Sequence, residues 1–308
     1  MTNADHASSN GEAQVIPLNA HQGNDTDGAG RNPFEREVAS LLRFVRRRLA
    51  GEYEVDEFGF DPEFMETFLL PLARALYQHW FRVDLQGLEN VPEKGAALLV
   101  SNHSGTLPMD AVMLQVAVHD NTDRTLRLLG ADLVYQVPFL GHISRKSGHT
   151  LAHPADTARL LAKGELVGVF PEGFKGVGKP FSQRYKLQRF GRGGFVVSAL
   201  RSQVPIVPVA IVGAEEIYPK IADLRPLARL LGFPYFPITP TFPLLGPLGL
   251  VPLPSKWVIQ FGEPIPMDEY GPEAADDPLT VFNLTDHIRE TVQHMLYDLL
   301  LRRGPAFF

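Results

Sequence analysis

Residues 97–110 read ALLVSNHSGTLPMD and join an apolar run, a polar loop and the start of an apolar helix. The run ALLVSN has the length and composition of a buried β-strand, and a helical pattern extends from Met109 to Val118. Between them, His103 and Asp110 lie seven positions apart in a loop that contains turn-forming residues. The stretch therefore predicts a strand, a loop and a helix in that order.

The same alternation continues after Val83. It predicts an α/β fold with a mostly parallel sheet that carries helices on both faces. The predicted strands are 97–102, 125–131, 166–170, 205–213 and 257–262. The predicted helices are Met109–Val118, Asp156–Lys163 and Phe195–Ser202, followed by a closing helix within 280–303.

The composition excludes several classes of site. The 308 residues include no cysteine, which rules out disulfides, thiolate zinc sites and a cysteine nucleophile, and is compatible with a reducing compartment. The formal charge of −6 gives no overall reason to expect nucleic acid. We predict no nucleic-acid partner, no metal and no redox cofactor.

Ahead of the main domain, the sequence predicts a tail and two helices. The tail is poor in large apolar residues and lacks the features of a signal peptide, which indicates disorder. Residues 34–50 have the pattern of a basic amphipathic helix, and residues 63–81 that of an apolar helix kinked at Pro71. These helices suit docking on an anionic membrane, although a packing helix with a solvated face is the common alternative. The chain is therefore predicted to divide into a disordered tail (1–32), the N-terminal amphipathic helices (33–82) and the main domain (83–308).

Residues 230–255 contain no charged residue over 26 positions. Their seven prolines make a membrane-spanning helix very unfavourable, because each interior proline costs a helix about 3 kcal/mol. We expect this segment to lie over the core or at a lipid surface.

Polar clusters follow three of the predicted strands. They are Asn102-His103, Pro171-Glu172-Gly173 and Gly213-Ala214-Glu215-Glu216. Because sites in open α/β sheets form beyond the carboxyl ends of the strands, these clusters are expected to face one crevice.

The first cluster offers acid–base chemistry. His103 is suited to take a proton from a hydroxyl, and Asp110 to orient its ring. The alternative is a loop histidine beside a helix whose first turn favours the acid. Ser104 is rejected as a nucleophile, because the chain has no G-x-S-x-G elbow.

The remaining clusters offer binding groups. Arg145 and Lys146, in a predicted loop at 141–148, could hold phosphate oxygens or remain solvated. Glu172 could pair with Arg145 or bind an acceptor hydroxyl, beside the flexible Gly173. Lys175 adds a cation. Arg192, in the GRGG stretch that leads into a helix, suggests an anion site.

Taken in order, NHSGTLPMD, GHISR, VFPEG and VPIVPVAIVG resemble the four blocks of the glycerolipid (lysophospholipid) acyltransferase superfamily. The resemblance implies a glycerol-3-phosphate acyltransferase-like fold with membrane-associated N-terminal elements. It implies transfer of a fatty acyl group from acyl-CoA or acyl-carrier protein to a glycerolipid hydroxyl, as in phospholipid biosynthesis. By carry-over, His103 is the base, Asp110 orients it, Arg145 binds acceptor phosphate, and Glu172 with Gly173 shapes the acceptor site.

Two departures bear on the acceptor. Six residues instead of four separate His103 from Asp110, and Phe174-Lys175 replace the usual Thr-Arg. The longer spacing and the L-P-x-D ending at 107–110 are more similar to the monoacylglycerol/diacylglycerol acyltransferase-like branch. We therefore expect an O-acyltransferase at the inner face of the membrane in the cytoplasm. The alternatives are a neutral-lipid acyltransferase and a non-catalytic lipid-binding protein.

Overall fold

The computed structural model describes residues 33–137 and 139–307, and for residues 33–38 and 40 only the helical course of the backbone. The predicted tail, 1–32, lies outside the described residues. The strands are β1 (Asp84–Gln86), β2 (Ala97–Ser101), β3 (Leu126–Gly130), β4 (Thr150–Leu151), β5 (Leu166–Val169), β6 (Ile206–Val212), β7 (Ala222–Asp223), β8 (Pro237–Ile238) and β9 (Val258–Phe261). The α-helices are α1 (Pro33–Ala50), α2 (Pro62–Phe64), α3 (Leu70–Ala75), α4 (Met109–Asn121), α5 (Asp132–Gln136), α6 (Leu140–Lys146), α7 (Pro154–Ala162), α8 (Phe174–Val177), α9 (Gly194–Ser202), α10 (Arg225–Leu231) and α11 (Pro278–Arg302).

Seven strands form one sheet in the order β1-β9-β6-β2-β5-β3-β4. Neighbouring strands are parallel except for β6 and β9, which are antiparallel. The α/β class and the five predicted strands are confirmed. Strand β1, strand β4 and the small β7–β8 pair were not predicted, because two or three residues are too few to establish an alternating pattern.

Both faces of the sheet are covered, as predicted. Within β2, Leu99 faces a core that includes Met113 of α4, whereas Leu98 and Val100 face the core built from α7, α9 and α11. All five β2 residues are buried, which explains why this strand is a continuous apolar run.

The second N-terminal helical run belongs to the main core. Its predicted interruption at Pro71 takes the form of π-helical turns at Met65–Leu69 and Leu76–Trp80. Met65 and Leu70 are each 1% exposed and pack in the α4 core. This run is therefore part of the domain's packing, in contrast to the separate docking module that its apolar composition suggested.

Over residues 41–49, helix α1 presents apolar side chains outward. Leu42 is 64% and Leu49 85% exposed, whereas Phe44 and Arg48 are partly buried. Arg48 forms a 2.5 Å ion pair with the buried Asp61, so a charged contact ties α1 to the domain. No helix among the residues that the structure describes is long and apolar enough to cross a bilayer.

The uncharged 230–255 segment lies over the domain and exposes apolar side chains at the same time. The Tyr218 hydroxyl donates to the carbonyl of Leu250 (2.5 Å), and the Trp80 indole donates to that of Pro252 (2.9 Å). Leu244 nevertheless remains 83% and Leu248 72% exposed. Such a run of exposed leucines is typical of a surface that meets another apolar phase.

Candidate active site

The residue before His103 fixes the end of β2 to β6. The side-chain amide of Asn102 donates to the carbonyl of Ile211 (3.0 Å), and its oxygen accepts from the Ile211 amide (2.8 Å). Asn102 is fully buried, so these two bonds satisfy it as a peptide group would be satisfied in a sheet. The backbone entering His103 is thereby held in place.

His103 contacts Asp110 as the sequence suggested. The Nδ1 atom of His103 lies 2.8 Å from Oδ2 of Asp110, and the imidazole packs on Phe170 with ring centres 4.5 Å apart. The His103 side chain is 14% exposed and the Asp110 side chain is fully buried. Among the described residues, Nε2 of His103 has no hydrogen-bond partner, so this nitrogen is available to an incoming group.

Asp110 is held in the first turn of α4 by two backbone amides. Its Oδ2 also accepts from the Ser104 amide (2.8 Å), and its Oδ1 accepts from the Ala111 amide (2.9 Å). These bonds compensate for burying a carboxylate. They also fix the loop between the histidine and the acid.

Gly105 and Thr106 form a tight bend in that loop. Gly105 has φ of +94°, and a Cβ placed there would lie 2.7 Å from the carbonyl oxygen of Ala214. Thr106 has φ of +64°, and its carbonyl accepts from the Tyr235 hydroxyl at 2.5 Å. The bend folds the longer loop back, so that Asp110 still reaches His103.

Glu172 braces the same loop from β5. Its Oε1 accepts from the His103 amide (2.9 Å) and its Oε2 from the Gln188 amide (2.6 Å). Its charged neighbour is Lys179, 3.6 Å away, and not Arg145, so the pairing suggested by the sequence is wrong. A buried carboxylate needs nearby partners, and both Glu172 oxygens are taken up by positioning the backbone.

Lys179 joins Glu172 to a second carboxylate. Its ammonium lies 3.0 Å from Oε1 of Glu215, and its side chain is 2% exposed. Burial raises the pKa of Glu215 to about 7, and the adjacent Lys179 opposes this shift. One lysine thus connects the loops that follow β5 and β6.

Tyr185 extends this buried network to the end of α11. Its hydroxyl donates to Glu216 (2.5 Å) and accepts from the Gly213 amide and from Arg303, both at 3.0 Å. Burial and the charge of Glu216 raise the pKa of Tyr185 well above its ordinary value. The loop after β6 is thus tied to the C-terminal helix.

The predicted cations do not converge on His103. Arg145 and Lys146 lie in the last turn of α6, so the predicted loop there is wrong; the glycines at either end left the helical pattern undetected. The Arg145 guanidinium is exposed and stacks 4.8 Å from the ring centre of Tyr135. Lys146 pairs with Asp61 at 3.4 Å, which commits it to the N-terminal helices.

Two other predicted binding residues lie near the loop, and one lies further along the chain. Gly173, with φ of +54°, leads into α8, and Lys175 is exposed on that helix. A Cβ on Gly176 would lie 2.6 Å from the His103 carbonyl oxygen, so α8 packs directly on the loop. Arg192 is exposed beside a separate cavity between the loop before α9 and helix α11.

The sequence did not indicate Phe170, Lys179, Tyr185 or Gln188. Phe170 could have been found from its place beside the Pro-Glu-Gly strand end. Lys179 and Tyr185 occupy an irregular stretch, where no periodicity distinguishes buried from exposed residues. In the described parts of the chain, no three His, Asp or Glu side chains are arranged to hold a metal ion.

The chain is similar to known proteins at the level of a family model and of individual relatives. The family model described as Acyltransferase matches residues 82–212. An uncharacterised protein of Mycobacterium tuberculosis is 57% identical over 279 residues, which cover 90% of this chain and 78% of that protein.

More distant relatives have named activities. A Bos taurus DGAT1/2-independent enzyme synthesizing storage lipids is 23% identical, over 70% of this chain and 60% of that protein. The 1-acyl-sn-glycerol-3-phosphate acyltransferase alpha of Ovis aries is 26% identical, over 53% of this chain and 56% of its own. The crystal structure of the Thermotoga maritima LPA acyltransferase PlsC covers 86% of this chain and 97% of its own at 18% identity. The TM-score of this match is 0.49.

Proposed function

The chain belongs to the glycerolipid acyltransferase superfamily, a group of O-acyltransferases, and we propose that His103 is the general base of its reaction. The donor is acyl-CoA or acyl-carrier protein. The acceptor is a hydroxyl of a glycerolipid such as 1-acylglycerol-3-phosphate. The observation that carries this proposal is the 2.8 Å contact between Nδ1 of His103 and Asp110, which leaves Nε2 open.

Asp110 determines which nitrogen of the His103 ring carries the proton. A carboxylate at Nδ1 favours the tautomer that carries its proton there, so that Nε2 can accept a proton. The same charge stabilises the imidazolium that forms. Positioned base catalysis of this kind contributes about 10²–10⁴-fold to a rate.

The proposed reaction has no acyl-enzyme. The acceptor oxygen attacks the thioester carbonyl while its proton passes to Nε2 of His103. The tetrahedral intermediate collapses, the carbon–sulfur bond breaks, and the thiolate takes the proton from the imidazolium. The products are an ester and a free thiol carrier. Backbone amides of the glycine-containing loops or nearby cations would steady the oxyanion.

Attachment to a lipid surface is part of the proposal. It is supported by the outward leucines of α1 and of the 230–255 segment, exemplified by Leu49 at 85% and Leu244 at 83% exposed. Arg43 and Arg46, both exposed on α1, would add attraction to an anionic leaflet of about 1 kcal/mol each. We place the enzyme on the cytoplasmic, inner face of the membrane.

The acceptor's phosphate distinguishes two versions of the activity. Arg145 is exposed and has no carboxylate within 4.0 Å among the described residues, so its charge is available to a phosphate. The longer histidine–aspartate spacing favours a neutral mono- or diacylglycerol instead. Arg145→Ala should weaken turnover of phosphorylated acceptors alone if the first version holds. Equal effects on both acceptor classes would favour the second.

The central test is acyl transfer by purified full-length protein from labelled acyl-CoA to a panel of acceptors in vesicles. We expect turnover in the wild type and a loss of about 10²–10⁴-fold in His103→Ala. His142→Ala, which alters an exposed histidine on α6, is the matched control. Equal turnover in the His103 variant would refute the mechanism. Lipid binding without acylation would favour a non-catalytic lipid-binding protein.

A further inference from the structure

A cavity of about 400 Å³ lies between the loop before α9 and the first half of α11. Its charged lining consists of Arg189, Arg192, Arg289 and Asp286. Arg289 pairs with Asp286 at 2.9 Å. Among the described residues, no carboxylate lies within 4.0 Å of the other two guanidinium groups, so the cavity has an excess of positive charge in a chain whose formal charge is −6.

The cavity begins beside the groups that hold His103. The amide of Gln188, the residue before Arg189, donates to Glu172 (2.6 Å), and the other oxygen of Glu172 accepts from the His103 amide (2.9 Å). A Cβ on Gly191 would lie 3.7 Å from the carbonyl oxygen of Pro171. A long ligand could therefore occupy the cavity with one end and approach His103 with the other.

We propose that this cavity binds the phosphate groups of acyl-CoA, with the pantetheine arm carrying the thioester towards His103; this rests on the proposed function. Arginine forks match phosphate oxygens in geometry and charge. Phe282, 57% exposed at the rim, offers a ring face to the adenine. A concave site of this size suits phosphates and a base, whereas the surface of a carrier protein would need a broad basic face.

The position of the cavity also gives the two substrates separate routes to His103. Val281 and Phe190 of the cavity belong to the core of α7, α9 and α11. The N-terminal helical run packs in the core on the other face of the sheet. A soluble, highly charged donor would thus approach from one face, while the lipid acceptor would arrive beside the exposed leucines of the N-terminal helices.

The experiment compares two donors with the same thioester. Palmitoyl-CoA carries the nucleotide phosphates and S-palmitoyl-pantetheine lacks them. For the full chain, we expect the ratio of kcat/KM for palmitoyl-CoA to kcat/KM for S-palmitoyl-pantetheine to fall by roughly 10- to 100-fold in Arg189→Gln/Arg192→Gln, as expected for lost charge-assisted hydrogen bonds. Arg201→Gln is the matched control, because Arg201 lies at the opposite end of α9 and pairs with Asp276. Its ratio should equal that of the wild type.

Calorimetric titration with CoA separates this inference from the proposed function. Weaker CoA binding in the double variant supports the site, even if no acyl transfer is found, in which case the proposed function alone fails. Unchanged CoA affinity together with an unchanged donor ratio overturns the site. Transfer from palmitoyl-acyl-carrier protein but not from palmitoyl-CoA would overturn it as well, in favour of a protein donor.

Discussion

Two buried carboxylate arrangements lie side by side at the carboxyl edge of the sheet. In one, Asp110 contacts Nδ1 of His103 and leaves Nε2 free. In the other, Lys179 lies between Glu172 and Glu215, at 3.6 and 3.0 Å, and these charged groups are all buried. Both clusters contact the same loop. Among the described residues, Nε2 of His103 in the first cluster has no hydrogen-bond partner, whereas both oxygens of Glu172 in the second accept from backbone amides. The difference separates a group that can exchange a proton with a substrate from a group that holds the backbone.

The largest effect is expected from breaking the first arrangement. Asp110→Asn should lower kcat by about 10²–10⁴-fold, because an amide cannot stabilise the imidazolium and presents a donor to the Ser104 amide. Steady-state acyl transfer measures this effect. Asp132→Asn, an exposed acid in the first turn of α5, is the control. A kcat within twofold of the wild type for Asp110→Asn would remove the acid from the mechanism.

Breaking the second arrangement should mainly affect stability. Lys179→Met leaves Glu172 and Glu215 buried without their cation, so the free energy of unfolding should fall by about 3–5 kcal/mol. Urea denaturation measures the change. Lys175→Met, at an exposed site four residues away, should stay within about 0.5 kcal/mol of the wild type. If both variants are equally stable, Lys179 does not hold the two loops together.

The pH dependence of stability sharpens the comparison further. The pKa of Glu215 is raised from 4.5 to about 7, so between these pH values the folded protein binds a proton that the unfolded chain releases. The contribution of Glu215 to the free energy of unfolding is fully present below pH 4.5 and is lost as pH rises through about 7. Over this range the free energy of unfolding changes by on the order of 1 kcal/mol per pH unit. Glu215→Gln should remove that slope from denaturation measured at several pH values.

His149 has the opposite effect on the pH dependence of stability within the same pH range. Burial, with a contribution from Arg127, lowers its pKa from 6.5 to about 4, so its contribution is lost as pH falls. His149→Gln should therefore make stability decrease more steeply as pH rises from about 4.5 to 6.5. A shallower decrease would contradict the assignment of a neutral, buried imidazole.

The smallest effect is expected at a cation outside both arrangements. Arg145→Gln removes an exposed guanidinium that stacks on Tyr135 and should cost about 0.5–1 kcal/mol of stability. A double-mutant cycle with Tyr135→Leu measures this coupling. A coupling of several kcal/mol would place Arg145 in the same class as Lys179.

The sequence predicted those features that depend on periodicity and local order. The buried strands, the helices between them and the approach of Asp110 to His103 follow from an apolar run that ends in a polar loop. The brace formed by Lys179 could not be predicted, because it depends on loops that are distant along the chain. Arg145 was misplaced for a related reason, since the glycines around GHISR mask a helix of seven residues.

The bond between Asn102 and Ile211 sets an order of events for a growing polypeptide. The two residues are 109 positions apart, so the His103 loop lacks this support until β6 has been synthesised. The contact of Tyr185 with Arg303 spans 118 positions and cannot form until α11 has been synthesised. Contacts of such long sequence separation form late and slowly. A nascent chain that stops before Ile211 would hold His103 and Asp110 without the strand that fixes them, and would remain inactive while still on the ribosome.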